Sequence, residues 1–370
     1  MKFLIITNHS YMLWQFRREL IASLQEKGEV VISTPFVGHE DDFAAMGCRM
    51  IPTELNRRSI NPLTDFKLYR FYKKLLKTEK PDVVVTYSIK PNVYAGYACR
   101  KMGIPYCVNV QGLGTAFQKE PMATVATAMY KIALKKAKTV FFENAFNAEE
   151  FVKRGIVPAS RQTLLPGAGV NLELYQQQPY PDETNGIHFL FLGRLMREKG
   201  IDELFEAARR MKEQYGAQVQ FDIVGFFEDE YKAAIEKLTE DGVITFHGFQ
   251  TDPKPYYAMS HCVVLPSYHE GMSNVLLEAA ATGRALITTN IPGCREAVEE
   301  GVNGYLCKKQ DADDLFASME RFVSLQTEQR EAMGISGRRR MEREFDKTAV
   351  VQKTIGAILE NEQVSARLKN

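Results

Sequence analysis

The chain has 370 residues, which is too long for one ordinary hydrophobic core and sufficient for two domains. Apolar residues make up 45% and charged residues 25% of it, the composition of an ordinary globular protein. The six cysteines form no CxxC pair and no Cys/His ligand spacing. This indicates a reduced, cytoplasmic compartment and argues against a disulfide framework or a zinc site.

The net charge of +1 conceals an asymmetry between the two halves of the chain. Residues 1–170 carry 24 Lys/Arg and 14 Asp/Glu, a net charge of +10, whereas the remainder carries 23 and 32, a net charge of −9. Such a split indicates that the first half faces an anionic partner, or that the two halves attract each other. On charge alone, a membrane surface, nucleic acid and a charged substrate all stay open.

The first residues, MKFLIIT, predict a buried strand. Their apolar run is too short for a signal peptide, and no cleavage site follows. No stretch approaches the ~18–20 apolar residues that span a bilayer. We therefore expect neither export by that route nor an integral membrane protein.

Short apolar runs alternate with helical patterns in the first half of the chain. Helical periodicity lies at about 13–27, 64–78, 92–102 and 147–154. The strands are predicted for KFLIIT, EVVISTP, PDVVVTYS, PYCVNVQ and KTVFFEN, whose near-continuous apolar character is typical of strands covered on both faces. Strands that alternate with helices of this length imply right-handed βαβ units and a parallel sheet.

The pattern restarts in the second half, with strands predicted for GIHFLFLGR, VQFDIVG, GVITFHG, HCVVLPS and ALITT and helices at about 200–215, 229–239, 253–259 and 273–282. Between the two sets, residues 164–186 are rich in Pro, Gly and Gln and predict a linker. We predict an α/β protein of two doubly wound, Rossmann-like domains, residues 1–172 and 173–345. A C-terminal helix at about 346–370 can pack back on the first domain.

The loop after the strand HFLFLG is the first candidate for ligand binding. Ligands bind beyond the carboxyl ends of parallel strands, so two such domains facing each other would line an interdomain cleft with these loops. Gly193 allows close backbone approach, Arg194 offers a fork to phosphate oxygens, and Lys199 offers a mobile charge. A helix starting near Ile201 adds N–H groups that attract anions. Taken by itself, the motif is better explained as a solvated basic loop.

The loop after HCVVLPS continues into YHEGMSNVLLEAAATG. Gly271 permits a tight turn, and Ser273 is predicted to cap the following helix. The N–H groups of residues 271–275 would then cradle a phosphate, with Glu270 beside whatever that phosphate carries. Glu278 lies in an apolar stretch, where an unpartnered carboxylate is costly, and its two oxygens suit a cis-diol such as ribose. Two acids at this spacing also occur by chance.

Four motifs of the second half resemble consecutive signatures of the retaining glycosyltransferases of family 4, which have the GT-B fold: GRLMREKG, HGF, YHEGMSNVLLEAAATGRALI and GCREAVEEGVNGYL. The resemblance covers essentially the whole chain and is most specific in the second domain. It implies a nucleotide-sugar donor, which we expect to be a UDP-sugar, held by the second domain, and an acceptor held by the first. It also implies that no metal ion is required, so we expect no cofactor.

The resemblance assigns roles to residues of both loops. Arg194 and Lys199 would contact the diphosphate, and Glu278 would hold the ribose. Glu270 would attend the transferred sugar, as a positioning carboxylate or as a nucleophile, and it completes a predicted catalytic set with Arg194 and Lys199. The remaining predicted donor-binding residues are Gly193, Gly271, Met272, Ser273, Asn274 and Val275.

The first domain departs from the family pattern. The usual glycine-rich first loop is replaced by TNHSYMLWQFR, in which Asn8, His9 and Ser10 occupy the turn, and a later His-Gly pair is replaced by Gln111-Gly112. A neutral Gln can still hydrogen-bond a sugar hydroxyl. The predicted residues of the acceptor side are Asn8, His9, Ser10, Gln111 and Gly112. RRSINPL and VQGLGTAF resemble a subgroup that builds capsules, O-antigens or lipid-linked oligosaccharides on a polyprenyl diphosphate carrier.

The predicted function is therefore retaining transfer of a hexose or N-acetylhexosamine from a UDP-sugar to a polyprenyl-diphosphate-linked saccharide, in the synthesis of a bacterial surface polysaccharide or glycoprotein glycan. The basic, aromatic stretches 65–80 and 126–138 would place the enzyme on the anionic inner face of the cell membrane. Either stretch alone is also explained by a helix with a solvated basic face. Nucleic-acid binding has no aromatic or groove-reading support.

Three alternatives stay open. The chain can be a UDP-sugar epimerase of the same fold, a non-catalytic lectin or scaffold, or a transferase that acts on a soluble small-molecule acceptor. Retention of Arg194, Lys199 and both glutamates argues against the lectin. The sequence leaves the sugar, the linkage and the oligomeric state open.

Overall fold

The structure is a computed structural model of the chain, and it describes residues 1–54, 62–114, 117 and 120–360. Parts of three predicted segments lie outside the described residues: 57–61 of RRSINPL, 115–116 of VQGLGTAF, and 361–370 of the C-terminal helix. The chain divides into two compact units. Unit 1 is Met1–Ala168 together with the described chain from Thr348 onward, and unit 2 is Gly169–Lys347.

Unit 1 contains a seven-stranded sheet in the order β3-β2-β1-β4-β5-β6-β7, paired in parallel throughout. The strands are β1 (Lys2–Ile6), β2 (Glu29–Thr34), β3 (Arg49–Pro52), β4 (Val83–Tyr87), β5 (Tyr106–Val110), β6 (Thr139–Phe142) and β7 (Gln162–Leu164). The helices are α1 (Ser10–Gln25), α2 (Glu40–Ala45), α3 (Pro62–Glu79), α4 (Gly96–Met102), α5 (Met122–Leu134) and α6 (Ala145–Lys153).

The core of unit 1 has two layers, one on each face of this sheet. Successive side chains of a strand point to opposite faces, so Leu4 of β1 packs in one layer with Tyr72 of α3, and Ile5 packs in the other with Leu24 of α1. This two-sided burial explains why the strands read as continuous apolar runs.

Unit 2 contains a six-stranded parallel sheet in the order β10-β9-β8-β11-β12-β13. Its strands are β8 (Ile187–Leu192), β9 (Val219–Val224), β10 (Thr245–Phe246), β11 (Cys262–Leu265), β12 (Ala285–Thr289) and β13 (Gly304–Cys307). Its helices are α7 (Ile201–Tyr215), α8 (Lys232–Glu240), α9 (Lys254–Met259), α10 (Asn274–Ala281), α11 (Ala312–Val323) and α12 (Thr327–Glu344). The last helix, α13 (Lys347–Leu359), buries Val351 and Ile358 in the same core layer as Ile5 of unit 1.

The strand order of unit 2 places its two candidate loops together. From β8 the chain winds outward to β9 and β10, returns to β11 beside β8, and then winds outward the other way. The order therefore reverses between β8 and β11, and such a switch point opens a crevice beyond the carboxyl ends of the strands. The two doubly wound parallel sheets are those predicted from the sequence, and the loops after β8 and β11 flank this crevice.

Candidate active site

The loop after β8 begins with Gly193, whose N–H donates to the carbonyl of Val224 at 3.0 Å. The next side chain, Arg194, is 47% exposed, and its Nη1 lies 3.7 Å from Oε2 of Glu228. An anionic ligand at this position would therefore compete with one carboxylate for the guanidinium. In the described structure, Arg194 is held by Glu228, whereas Lys199 contacts Glu270.

Gly200 brings the loops after β8 and β11 into contact. It has a φ of +71°, and a Cβ at this position would overlap the carbonyl of Pro266. The same approach allows the N–H of Tyr268 to donate to the carbonyl of Glu198 at 2.8 Å. A glycine is required here both for the backbone conformation and for the close packing. The result is that Lys199, directly before this glycine, faces the loop that carries Glu270.

Glu270 is the centre of the charged contacts between these loops. Its Oε1 accepts a hydrogen bond from Oγ of Ser267 at 2.8 Å and forms an ion pair with Nζ of Lys199. The Lys199 and Glu270 side chains are only 17% and 13% exposed. Two residues predicted from separate motifs are thus in direct contact. Ser267 was not predicted; its only signal is a hydroxyl three residues before the acid in PSYHEG.

The N-terminus of α10 follows directly. Ser273 is the N-cap, as predicted, because its side chain accepts an N–H from the first turn. Its own N–H, however, donates to the carbonyl of Gly293 at 2.8 Å, so the expectation that this amide faces a phosphate is corrected. Asn274 and Val275 occupy the first turn, where helix geometry provides no intrahelical acceptor for an N–H. Met272 has its side chain buried in the core, which leaves only its backbone for a ligand.

Gly293, in the loop after β12, packs closely against the backbone of Glu270 and Gly271. It has a φ of +89°, and a Cβ there would lie 2.6 Å from the carbonyl oxygen of Gly271 and 2.7 Å from that of Glu270. No side chain larger than hydrogen fits without moving the loop. Gly293 was not predicted to have this role, although it lies within the motif GCREAVEEGVNGYL.

Glu278 lies within α10 and is 9% exposed. Its Oε2 accepts a hydrogen bond from the hydroxyl of Tyr257 at 2.9 Å, and Tyr175 provides a second hydroxyl. Burial raises the pKa of Glu278 to about 7, against the opposing effects of the two hydroxyls and the positive charge of Lys347. Glu278 therefore has the hydrogen-bond partners that a buried carboxylate needs, and both are tyrosine hydroxyls.

The predicted acceptor side of unit 1 is partly accessible. Asn8 follows β1, and its Oδ1 accepts from the hydroxyl of Ser88, which follows the neighbouring strand β4, at 2.7 Å. His9 caps α1, with Nδ1 accepting the N–H of Met12 at 3.4 Å. Both side chains are partly exposed.

Ser10 is fully buried, which corrects its assignment as an acceptor contact. Its hydroxyl donates to Oε1 of Glu40 at 2.8 Å and accepts from the N–H of Val37 at 3.0 Å, so both functions are already used within the protein. Gln111 and Gly112 directly follow β5 and are partly exposed.

Two protein-family models match the chain. The model for glycosyl transferases group 1 matches residues 176–340, which include β8 to β13 and both candidate loops. The model for glycosyl transferase 4-like proteins matches residues 2–144 of unit 1. Together the two matches support the resemblance to the GT-B glycosyltransferases of family 4, and the chain is a glycosyltransferase with the GT-B fold.

Curated relatives carry more specific names. The chain is 26% identical, over 82% of its own length and 84% of the relative's, to N,N'-diacetylbacillosaminyl-diphospho-undecaprenol alpha-1,3-N-acetylgalactosaminyltransferase of Campylobacter jejuni. It is 28% identical, over 78% and 77% of the two lengths, to UDP-Gal:alpha-D-GlcNAc-diphosphoundecaprenol alpha-1,3-galactosyltransferase of Escherichia coli.

Solved structures share the fold at lower identity. A glycosyltransferase from Rickettsia africae superposes with a TM-score of 0.79 at 18% identity, covering 98% of this chain and 99% of that one. The Anabaena protein HepE in complex with UDP and glucose superposes with a TM-score of 0.79 at 17% identity, covering 98% and 100%. At these identities the likeness establishes the architecture only.

Proposed function

We propose that the enzyme transfers a hexose or N-acetylhexosamine, with retention of anomeric configuration, from a UDP-sugar to a polyprenyl-diphosphate-linked saccharide. The observation that carries this proposal is the contact between Lys199 and Glu270 beside the N-terminus of α10, at the switch point of the unit 2 sheet. An ammonium group, helix N–H groups and a carboxylate at one point suit a sugar diphosphate, which has negative charge at one end and hydroxyls at the other.

Each group has a defined task in this proposal. Lys199 and Arg194 would stabilise the charge that develops on the departing diphosphate, aided by the N–H groups of Asn274 and Val275. Glu270 would accept hydrogen bonds from hydroxyls of the transferred sugar. The bond between the anomeric carbon and the diphosphate oxygen breaks while the acceptor oxygen bonds to that carbon on the same face. The acceptor proton passes to the departing diphosphate. Because Lys199, Arg194 and the helix N–H groups would offset the charge of the diphosphate, we propose that no metal ion is required.

The lipid-linked acceptor is supported by the names of the relatives, two of which specify a diphosphoundecaprenol substrate. Unit 1 adds a surface suited to that substrate. The helices α3 and α5 both bury residues in the same core layer and leave apolar side chains exposed outside it. We propose that the exposed apolar residues Leu63, Phe66, Val125 and Ile132 and the exposed basic residues of α3, together named the α3/α5 surface, contact the anionic inner face of the cell membrane.

The test is an assay of the purified full chain with radiolabelled UDP-sugars, with and without a bacterial membrane lipid extract. We expect label to enter the lipid fraction with one UDP-sugar and not with the matching GDP-sugar, equally well in the presence of EDTA. Nuclear magnetic resonance of the released glycan gives the anomeric configuration. An inverted linkage would contradict the retaining mechanism.

Three other results would contradict the proposal in whole or in part. Conversion of the UDP-sugar into an epimer without lipid would identify an epimerase, and binding of UDP-sugars without any turnover would identify a lectin. Transfer to a soluble saccharide with no preference for the lipid-linked form would retain the transferase and remove the lipid acceptor.

A further inference from the structure

Tyr257, in α9, is fully buried, and its hydroxyl contacts a residue of the predicted donor site. Its hydroxyl donates to Oε2 of Glu278, which lies 21 residues further along the chain in α10. Burial raises the pKa of Tyr257 far above its ordinary value, so the phenol keeps its proton and stays a hydrogen-bond donor at every physiological pH.

The backbone around Tyr257 is anchored independently of Glu278. Arg284 is fully buried, and its Nε donates to the carbonyl of Tyr257 at 2.8 Å while Nη2 donates to that of Ala258 at 3.0 Å. The ring of Tyr257 also meets the ring of Tyr175 edge to face, with centroids 6.1 Å apart. With the backbone and the ring both held, the hydroxyl has a fixed direction.

We propose that Tyr257 is a positioning residue for the donor site, whose hydroxyl orients the carboxylate of Glu278 and holds it ready to accept both hydroxyls of the ribose. This rests on the proposed function, in which Glu278 binds the ribose. A carboxylate has about four lone-pair sites, so one or two phenol contacts leave acceptor positions for a diol. Without a fixed phenol, part of the ribose affinity would be lost in ordering the carboxylate.

The charged and titratable groups around Glu278 come from several elements. Tyr175 lies in the segment before β8, Lys347 at the start of α13, and Tyr257 in α9. Arg338 of α12 donates to the carbonyl of Tyr175 at 2.8 Å, and Arg284 holds the carbonyl of Tyr257. Tyr257, Tyr175 and Lys347 favour the charged form of Glu278, whereas burial opposes it.

This balance gives the site a pH dependence with a definite sign. Because burial raises the pKa of Glu278 to about 7, the side chain keeps a proton below that pH and loses it above. A protonated carboxyl accepts fewer hydrogen bonds, so donor affinity should increase as the pH rises through about 7. Removing the Tyr257 hydroxyl takes away a donor that stabilises the carboxylate, and the midpoint should move to higher pH.

The experiment measures binding of the UDP-sugar that supports turnover, by titration calorimetry between pH 5.5 and 9. A UDP-sugar is used because it lacks the terminal phosphate of UDP, which itself titrates in this range. For Tyr257→Phe we expect about tenfold weaker binding at pH 7 and a midpoint roughly one unit higher. Affinity should recover toward pH 9, and kcat at saturating donor should change less than twofold.

Two further variants identify the route of the effect. Glu278→Gln should bind weakly at every pH and show no midpoint near 7, and adding Tyr257→Phe to it should weaken binding no further. The matched control is Tyr231→Phe, which removes another phenol-to-carboxylate hydrogen bond of unit 2, to Oδ1 of Asp202 at 3.0 Å. It should leave both affinity and midpoint unchanged.

The outcomes separate failure of this inference from failure of the proposed function. Absence of UDP-sugar binding by the wild type removes the proposed function itself. If Glu278→Gln weakens binding while Tyr257→Phe leaves affinity and midpoint unchanged, only the role of Tyr257 is wrong. If Tyr257→Phe does not fold, 3-fluorotyrosine at position 257 replaces it: the more acidic phenol is a stronger donor, so the midpoint should move down, and an unmoved midpoint overturns the inference.

Discussion

Glu270 and Glu278 are eight residues apart, and their side chains have different surroundings. Glu270 contacts Lys199 and Ser267 in the loop, whereas Glu278 lies in the core against Tyr257. The described contacts link each acid to its own partners and not to the other acid. We infer that the two carboxylates serve different parts of one donor molecule and do not exchange a proton.

Replacing Glu270 tests this division of tasks. In Glu270→Gln the side chain keeps its size but loses the charge that pairs with Lys199. We expect kcat to fall about a hundredfold or more, since the lost contact acts where charge and sugar geometry change in the transition state. The Kd for UDP should change less than threefold. Steady-state kinetics and calorimetric titration with UDP measure the two quantities.

Glu300→Gln is the control for this prediction, because Glu300 of unit 2 also pairs with a basic residue, Arg321, at 3.0 Å, but both side chains are about half exposed. It should leave kcat and Kd unchanged. Equal losses of kcat and of UDP affinity in Glu270→Gln would show that Glu270 acts on the nucleotide, contrary to the proposed assignment.

The sequence predicts charged residues and the capping residue of the site better than the partners that they contact. The cap at Ser273 follows from its residue type and position, whereas the resemblance to family 4 singles out Glu270 and Lys199, whose side chains are in contact in the structure. Tyr257 does not, because nothing in PYYAM indicates that one phenol meets an acid 21 residues away. Ser10 was wrongly assigned because a loop position after a strand does not show whether its hydroxyl is already bonded.

Among the elements, the strands missed by the sequence analysis share one property. The short strands β3 and β7 are the outer strands of the unit 1 sheet, and β13 is an outer strand of the unit 2 sheet. An outer strand has a neighbour on one side only, so it needs no long apolar run. The central strands β1, β4, β8 and β11 are sandwiched between neighbours and helices, and their apolar runs are what the sequence makes visible.

The loop after β12 packs closely against the loop that carries Glu270. Gly293→Ala adds a Cβ that would lie 2.6 Å from the carbonyl oxygen of Gly271, in a backbone conformation with a φ of +89°. The loop that holds Glu270 must move, so we expect kcat/KM for the donor to fall at least tenfold. The melting temperature should fall by roughly 2–6 °C, from about 1–2 kcal/mol of backbone strain.

Gly301→Ala separates backbone strain from displacement of the loop. Gly301 has a φ of +74°, but a Cβ there meets nothing within 4 Å. It should therefore lower the melting temperature by no more than Gly293→Ala does and leave donor kinetics unchanged. If both variants lose the same fraction of kcat/KM, the contact between Gly293 and Gly271 has no special role in the site.

For the molecule as a whole, the division of charge is the most informative global feature. The positive half, residues 1–170, falls almost entirely in unit 1. All six basic residues of the stretch 65–80 are exposed, and the apolar side chains of Leu63 and Phe66 in the same helix are 75% and 59% exposed. In α5, Val125 and Ile132 are 58% and 51% exposed. Basic and apolar groups side by side suit an anionic interface better than water alone.

Within the part of the chain that the structure describes, no helix has the length and apolar character needed to cross a bilayer. Because the α3/α5 surface combines exposed basic and apolar side chains, attachment through it would depend on charge and shallow apolar contact, and it should be sensitive to salt. Salt-sensitive binding to anionic membranes distinguishes membrane docking from a basic helix face that only contacts water.

Neutralising Lys73, Lys74 and Lys77 together, each to Gln, tests docking through the α3/α5 surface. Each basic residue near an anionic surface contributes about 1 kcal/mol, so binding to vesicles containing 30% phosphatidylglycerol should weaken about a hundredfold. Sedimentation with vesicles measures this, and 0.5 M salt should abolish wild-type binding. Transfer to lipid-linked acceptor should fall while UDP affinity stays constant.

The matched control neutralises exposed Lys232, Lys237 and Lys254 of unit 2 and should bind vesicles normally. If both triple variants lose the same fraction of vesicle binding, the effect comes from net charge and not from the α3/α5 surface. If both bind vesicles like the wild type, the basic face of α3 is only solvated.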